Sequence, residues 1–366
     1  MTLEETKIGG RLYYFSDEWY KQFTNNPANH IIENGYFPTW NNARCPRLRK
    51  VRISSRRRIY SDESREEIKR LLSSGIISNF PVYKKCFLSK FFFKPKDDGS
   101  QRLIVNLKKL NKHIRPLYSP PMDRIKDVIS VLNRGDLMFS IDIKEAFHHI
   151  PVHPDARKYF VFDFDGRRYC YECLPFGLKT SPAVFSFIFR LAVNLAKTSG
   201  IHIFVYLDEI LFIAGSLQEA VERRNFIIHK LELLGFVLNY DKSHINPSTE
   251  IKHLGFIIDS HNMRVYVPEE KVDKLMAECE NFYELIKKKR ARKRELLSIV
   301  GKIRSIYIAF SPALKYARKL NALFYRRGYS HIRKTRKILY LLSSLIYTLK
   351  RKNWRSIRQI NADERI

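Results

Sequence analysis

Residues 201–213, IHIFVYLDEILFI, set two apolar runs on either side of an acidic pair, Asp208-Glu209, with no glycine or proline to explain a loop. Short runs rich in Ile, Val, Phe and Tyr read as strands packed on both faces. The break at Leu207-Asp208 then predicts a tight hairpin turn with adjacent carboxylates at its tip. Two like charges beside a low-dielectric core repel each other and resist desolvation, so they stay ionised only next to a neutralising cation. A hard divalent metal is the natural candidate. Acidic pairs at exposed turns are common, and the rest of the chain has to supply the partners of this one.

The charge balance narrows the class of partner. Among 366 residues, 67 Lys and Arg stand against 37 Asp and Glu, a net charge of +30. An excess of this size points to a polyanion, nucleic acid first, because membrane-surface proteins more often concentrate their charge in one terminal segment. The length allows two or three domains or subdomains. Five cysteines at irregular spacing, with no signal peptide, suit a reducing compartment and a nuclear or cytoplasmic location rather than secretion. Cys170 and Cys173 form a C-x-x-C without a second pair at zinc-ribbon distance, and on an alternating strand they read as core cysteines. No apolar run reaches ~18 residues, so no membrane span is expected.

Along the chain, residues 1–60 read as an irregular aromatic and then basic extension. Its stretch 44–58 has eight basic residues and no acid, and is either a solvated arm or a segment that follows phosphates. Ser61-Asp62 predicts a helix cap, with the helix stopping at Gly75. Residues 87–93 and 102–107 predict a hairpin carrying Lys94, Lys96 and Arg102, cations suited to a triphosphate. A strand over 139–143 holds Asp142 inside an apolar run, which is costly unless the carboxylate is paired or metal-bound. His148, His149 and His153 lack helix-spaced zinc partners and read as surface or core histidines. A second hairpin is predicted over 158–173 around Asp165-Gly166, and a helix over 182–197. An amphipathic helix over 218–234 follows, then short strands at 236–238 and 254–258. Apolar stripes Val272, Leu275, Met276, Cys279, Phe282 and Leu296, Val300, Ile303, Tyr307, Phe310 predict two helices. Between them lies KKKRARKR, residues 287–294, a candidate for duplex-backbone contact or nuclear import.

In this order, the segments FGLKTSPAVF, VYLDEILFIAG, GFVLNYDKS, HLGFIIDS and ELLSIVGKIRSIYIAFSPAL resemble reverse transcriptases, and more narrowly those of DIRS-like, tyrosine-recombinase retrotransposons, over about residues 61–330. The resemblance implies an α+β right-hand polymerase fold. It places fingers at 61–135, a palm at 136–265 with a fingers return near 155–200, a helical thumb at 266–330 and a basic tail at 331–366. It implies an RNA-directed, and also DNA-directed, DNA polymerase that uses two Mg²⁺ ions, with Mn²⁺ as a substitute, on deoxynucleoside triphosphates and a primed RNA or DNA template. Asp142 and Asp208 match the metal-bridging aspartates, Glu209 the third carboxylate, and Lys242 the basic residue after the palm helix, a catalytic proton donor to pyrophosphate. Lys96, Arg102, Glu145, Ala146, Phe147, Phe176 and Gly177 match nucleotide-binding positions, with Phe147 as the steric gate against a ribose 2′-hydroxyl. Ser181, the primer-grip turn Leu254-Gly255, and Lys287, Lys288, Lys289, Arg290, Arg292, Lys293 and Arg294 are the implied nucleic-acid contacts. The family usually has Asp where this chain has Glu209, Glu145 and Asn106. Those three departures keep a second reading open, a polymerase-fold protein that binds nucleic acid without catalysis. Phe147 argues against a third, a templated RNA polymerase. No ribonuclease H activity is expected, since Asp363 and Glu364 are the only acids in the last 36 residues.

Overall fold

The computed structural model describes residues 7–41, 45–53, 59–95, 99–197, 201–288, 290–325, 336–358 and 360. Lys96, Lys289 and part of the basic stretch 44–58 lie outside the described residues.

Over residues 7–41 the amino-terminal extension is folded, not irregular. After a 3₁₀ turn, Arg11–Phe15, come α1 (Ser16–Gln22) and α2 (Pro27–Asn34). The Asn-Pro punctuation seen in the sequence is a helix start: Asn26 accepts from the Ala28 N–H at 3.0 Å and Pro27 takes the first turn. Leu12 and Trp19 are wholly buried, and the Trp19 indole donates to the Leu234 carbonyl at 2.9 Å. Large apolar side chains on two short helices can be buried only against another part of the chain, which is why the sequence alone did not reveal the packing. Within the basic stretch, Arg49 exchanges two 3.0 Å backbone hydrogen bonds with Cys86.

Helix α3 (Asp62–Ser73) starts at the expected Ser61 cap, and Gly75 follows it with a φ of 68°. Strand β1 (Ile77–Asn79) and the hairpin β2 (Lys90–Pro95) and β3 (Gln101–Asn106) follow, then α4 (Lys108–Asn111) and α5 (Ile125–Val131). Next come β4 (Leu137–Asp142), β5 (Val161–Phe164) and β6 (Arg167–Tyr171). Asp165 and Gly166, both at positive φ, make the β5–β6 turn that the sequence predicted. Helix α6 (Ser181–Asn194), strands β7 (His202–Tyr206) and β8 (Glu209–Ala214), helix α7 (Leu217–Leu233) and strand β9 (His244–Ser248) complete the centre.

The central antiparallel sheet has the order β7-β8-β4-β9. Phe139, Ile141, Ile210 and Phe212 enter one core with the amino-terminal helices and α6, and the Phe139 and Phe212 rings stack at 4.5 Å. Met138, Leu211 and Ile213 enter a second core with α5 and the carboxy-terminal helices. Burial on both faces explains the unbroken apolar runs around the acidic pair.

Four sequence expectations are corrected beyond this sheet. Residues 236–238 form a single bridge, Ile143 to Leu238, and not a strand. Residues 254–258 divide at Leu254-Gly255, a two-residue turn between β10 (Glu250–His253) and β11 (Phe256–Asp259). Positive φ at both turn residues fits this tight hairpin, and periodicity could not separate turn from strand in so short an apolar run. Then come β12 (Arg264–Tyr266), α8 (Glu269–Lys287), α9 (Lys293–Ser305), α10 (Ala313–Tyr325), α11 (Arg336–Arg351) and β13 (Trp354–Ser356). Helix α9 ends at Ser305, so Tyr307 and Phe310 of its expected stripe lie in the turns that follow. The described residues of the expected tail, 336–358 and 360, are packed against the rest: α11 packs on α8 and α10, and β13 pairs with β12. The architecture is α+β. Among the described residues, no helix is long and apolar enough to cross a membrane.

Candidate active site

The acidic tip forms because β7 and β8 pair up to Tyr206 opposite Glu209, leaving Leu207 and Asp208 as the turn. Leu207 sits at φ 53°, a conformation costly for a branched side chain and held here by the paired strands. Asp142, the last residue of β4, lies directly opposite Glu209, and the Ile143 N–H donates to the Asp208 carbonyl at 3.0 Å. The three acidic residues therefore sit at one end of the central sheet. The Asp142 and Glu209 side chains leave the same face, as directly opposed residues of an antiparallel pair do.

Their electrostatics favour a cation. Burial, then the Asp208 charge, push the Asp142 carboxyl up to about 6, against hydrogen bonding from Asn239 and the Lys242 charge. Burial raises Asp208 as well, and its neighbour Glu209 adds to the rise, while Lys242 and Arg102 oppose it. The Asn239 amide donates to Asp142 Oδ1 at 3.0 Å, and the Asp142 N–H donates to the Ser243 hydroxyl at 3.0 Å. Sequence reading passed over Asn239 and Ser243, although both stand inside the GFVLNYDKS segment. Exposed Lys242 lies in the same turn.

Glu209 is engaged elsewhere. The buried His253 ring, through Nδ1, is 2.7 Å from Glu209 Oε1. Among the described residues, no group of three or more His, Cys, Asp and Glu side chains is arranged to hold a metal ion. Two aspartates with oxygen donors still fit Mg²⁺, which keeps several waters and accepts phosphate oxygens in place of a full protein cage. Glu209→Gln is accordingly expected to reduce Mg²⁺-dependent primer extension by roughly 10- to 100-fold, the scale of one charge-assisted hydrogen bond. Glu209→Asp, which shortens the side chain, is expected to preserve or raise activity. A collapse in either variant as deep as that of an Asp208 variant would place Glu209 among the metal ligands.

Around the acids, the implied nucleotide positions converge in part. Phe147 sits on a 3₁₀ turn, Ala146–His149, with its ring 5.1 Å from Phe176 and 5.8 Å from Phe185. The Arg102 guanidinium on β3 lies 5.7 Å from the centre of the Phe176 ring, and its charge works against the rise in the Asp208 pKa. Gly177, at φ 89°, places its missing Cβ 3.3 Å from the Val105 carbonyl, and its own carbonyl accepts from Asn111 at 2.8 Å. Glu145 turns its carboxylate away to Arg70 at 2.7 Å and His148 at 3.4 Å. Buried His149 accepts from the Val237 N–H at 3.0 Å and, with its pKa pushed down to about 3 by burial, serves the core. Cys170 and Cys173 are buried, as core cysteines should be.

Ser181 requires correction as a nucleic-acid contact. It is wholly buried, and its hydroxyl donates to the Pro175 carbonyl at 3.0 Å, tying the Leu-Pro-Phe-Gly turn to α6. The sequence showed the residue type and could not show its depth. The Leu254-Gly255 turn lies immediately after His253, with the Gly255 carbonyl 3.4 Å from Lys271 Nζ. Around the α8–α9 junction, Lys287, Lys288, Arg290, Arg292, Lys293 and Arg294 are exposed. Arg292 also starts α9, its N–H donating to Glu295 at 2.9 Å.

Residues 94–258 match the family model described as reverse transcriptase (RNA-dependent DNA polymerase). The Transposon Tf2-3 polyprotein of Schizosaccharomyces pombe is 28% identical over 213 residues, covering 58% of this chain. The Tf2-7 polyprotein of the same organism is 27% identical over the same share. The chain spans 15% of the length of these curated relatives. The foamy viral protease-reverse transcriptase superposes with a TM-score of 0.66 in its complex with an RNA/DNA hybrid, at 19% identity, over 93% of this chain and 46% of that one. Its complex with double-stranded DNA gives 0.65 at 18% identity, over 93% and 72%. The fold is that of a right-hand polymerase.

Proposed function

We propose that the protein, whose residues 94–258 match the reverse transcriptase family model, is an RNA-directed DNA polymerase that extends a primer 3′-hydroxyl with deoxynucleotides. The observation that carries this reading is Asp208 at the hairpin turn beside the end of β4, where burial and the Asp208 charge raise the Asp142 carboxyl, a cost that a divalent cation would relieve. Two Mg²⁺ ions, or Mn²⁺ in their place, would activate the primer hydroxyl and stabilise the departing pyrophosphate when bound there. Asp142 and Asp208 are the residues to hold them. Arg102, steadied against Phe176, directs its guanidinium to the triphosphate, and Phe147 occupies the space of a 2′-hydroxyl. Lys242 is positioned to pass a proton to the leaving group. The exposed cations around the α8–α9 junction follow the backbone of the primed template.

The polyprotein setting of the relatives, together with the motif segments of this sequence, supports an origin in a retrotransposon, of the DIRS-like class, acting in the nucleus or cytoplasm. Primer extension with deoxynucleotides and Mg²⁺ on an RNA template tests the activity, and a DNA template tests the DNA-directed one. A second reading is favoured by the carboxylates of Glu209 and Glu145, both committed to protein partners: a polymerase-fold module that binds nucleic acid only. Intact template binding with no extension in Mg²⁺ or Mn²⁺ would select it.

Shortening the gate is expected to change the sugar preference. Phe147→Val should cut discrimination against ribonucleotides roughly 10- to 200-fold, the range for steric differences in a pocket, and should leave metal binding intact. An unchanged ratio in an active variant removes Phe147 from the role.

A further inference from the structure

Helix α3 lies more than seventy residues upstream of the gate, yet one of its side chains reaches the turn that carries Phe147. Arg70 grips the buried Glu67 carboxylate through two nitrogens, Nε at 2.7 Å and Nη2 at 3.1 Å. Its remaining nitrogen, Nη1, lies 2.7 Å from Glu145 Oε1. The other Glu145 oxygen meets the His148 ring at 3.4 Å. One planar guanidinium therefore joins two carboxylates, a geometry its fixed fork allows and a lysine ammonium does not reproduce.

The recipient of this contact is a strained residue. Glu145 has φ 49°, in the left-handed region, and directly precedes the 3₁₀ turn Ala146–His149. A non-glycine residue holds that conformation only where its surroundings over-determine it. Here Arg70 and His148 hold the side chain, and the Glu145 carbonyl accepts the His148 N–H at 2.9 Å. Two residues on, the Phe147 ring is clasped between Phe176 and Phe185. The length of Glu145 matters: Asp would end one methylene short of Arg70, on the order of 1.5 Å.

We propose that Arg70, through Glu145, is a positioning residue for Phe147 and so a determinant of sugar selection that lies outside the nucleotide cleft. The selectivity part rests on the polymerase reading above; the positioning part does not. Arg70 itself touches neither the acids nor the gate ring, so its removal acts on where the ring stands and not on the metal site.

Two measurements on the full chain decide it. Hydrogen–deuterium exchange in Arg70→Met and Arg70→Lys should be faster in peptides covering residues 144–149, while peptides of the central strands β4 and β8 keep their protection. Unchanged exchange in 144–149 overturns the proposal, whether or not the protein polymerises. In primer extension, both variants should lose up to roughly 100-fold in deoxy- over ribonucleotide selectivity, the cost of an ångström-scale misplacement, with KM for the nucleotide rising more than kcat falls. Glu145→Asp should shift selectivity in the same direction. Equal selectivity in active, folded Arg70 variants also overturns it. A wild type that extends no primer sinks the polymerase reading, and the exchange result then decides the positioning role by itself.

Discussion

Asp142→Asn and Asp208→Asn are each expected to abolish primer extension, by at least about 10³-fold, the upper range for deleting one preorganised electrostatic group at a reacting centre. The substitution is nearly isosteric and removes the charge that would hold a cation. The fold should not suffer. The Asp142 carboxyl is pushed from its ordinary 3.8 up to about 6, so the folded state disfavours its ionised form. A carboxylate with a raised folded pKa contributes stability that is complete below about pH 4 and is lost as pH rises through about 6. Above pH 6, without metal, Asp142→Asn should therefore melt at the same temperature as wild type or higher, and the difference should vanish towards pH 4. The Asn side-chain oxygen can still accept from Asn239. Loss of extension with retained melting temperature and template affinity is the expected pair of results. Extension within tenfold of wild type would remove the residue from the reacting centre.

Binding to a primed template should fall steeply with salt. With +30 on the chain and the exposed cations around the α8–α9 junction, six to ten phosphate contacts would cost about 10³–10⁵ in affinity between 50 and 200 mM salt. Titration of the same duplex at several salt concentrations gives the slope directly, and a slope near zero rules the idea out. The structure decides which cations to replace. Arg292 starts α9 with Glu295, so changing it would disturb a helix as well as a charge. Lys287 pairs with Glu284 at 2.9 Å, an exposed pairing worth little, and remains a fair target. Replacing Lys287, Lys288, Lys289, Arg290, Lys293 and Arg294 by Gln should weaken binding to all sequences alike. It should also flatten the log–log slope by up to about 5 units, near 0.9 for each phosphate that is no longer neutralised.

Much of the central architecture was legible because it is local. A two-residue break between apolar runs allows little besides a hairpin, and Asp142 inside an apolar strand demanded a partner wherever the strand lay. The helix start at Ser61, and the glycines at 75 and 235 just beyond helix ends, followed from hydrogen bonds within a few residues of the chain. Net charge and the cation run around the α8–α9 junction needed no folding at all.

What sequence did not disclose depends on groups far apart in the chain. Trp19 is buried because Leu234 and Phe236 come to meet it, and β13 completes a sheet whose other strands end nearly ninety residues earlier. Ser181 has the residue type of a phosphate contact and the burial of a core hydroxyl. Glu209 has the charge of a metal ligand, yet His253 takes it, and Glu145 turns to Arg70. Residue type fixes which bonds a side chain is able to make. Tertiary packing decides which partner is within about 3 Å, and a buried carboxylate takes that partner because leaving it unpaired costs more.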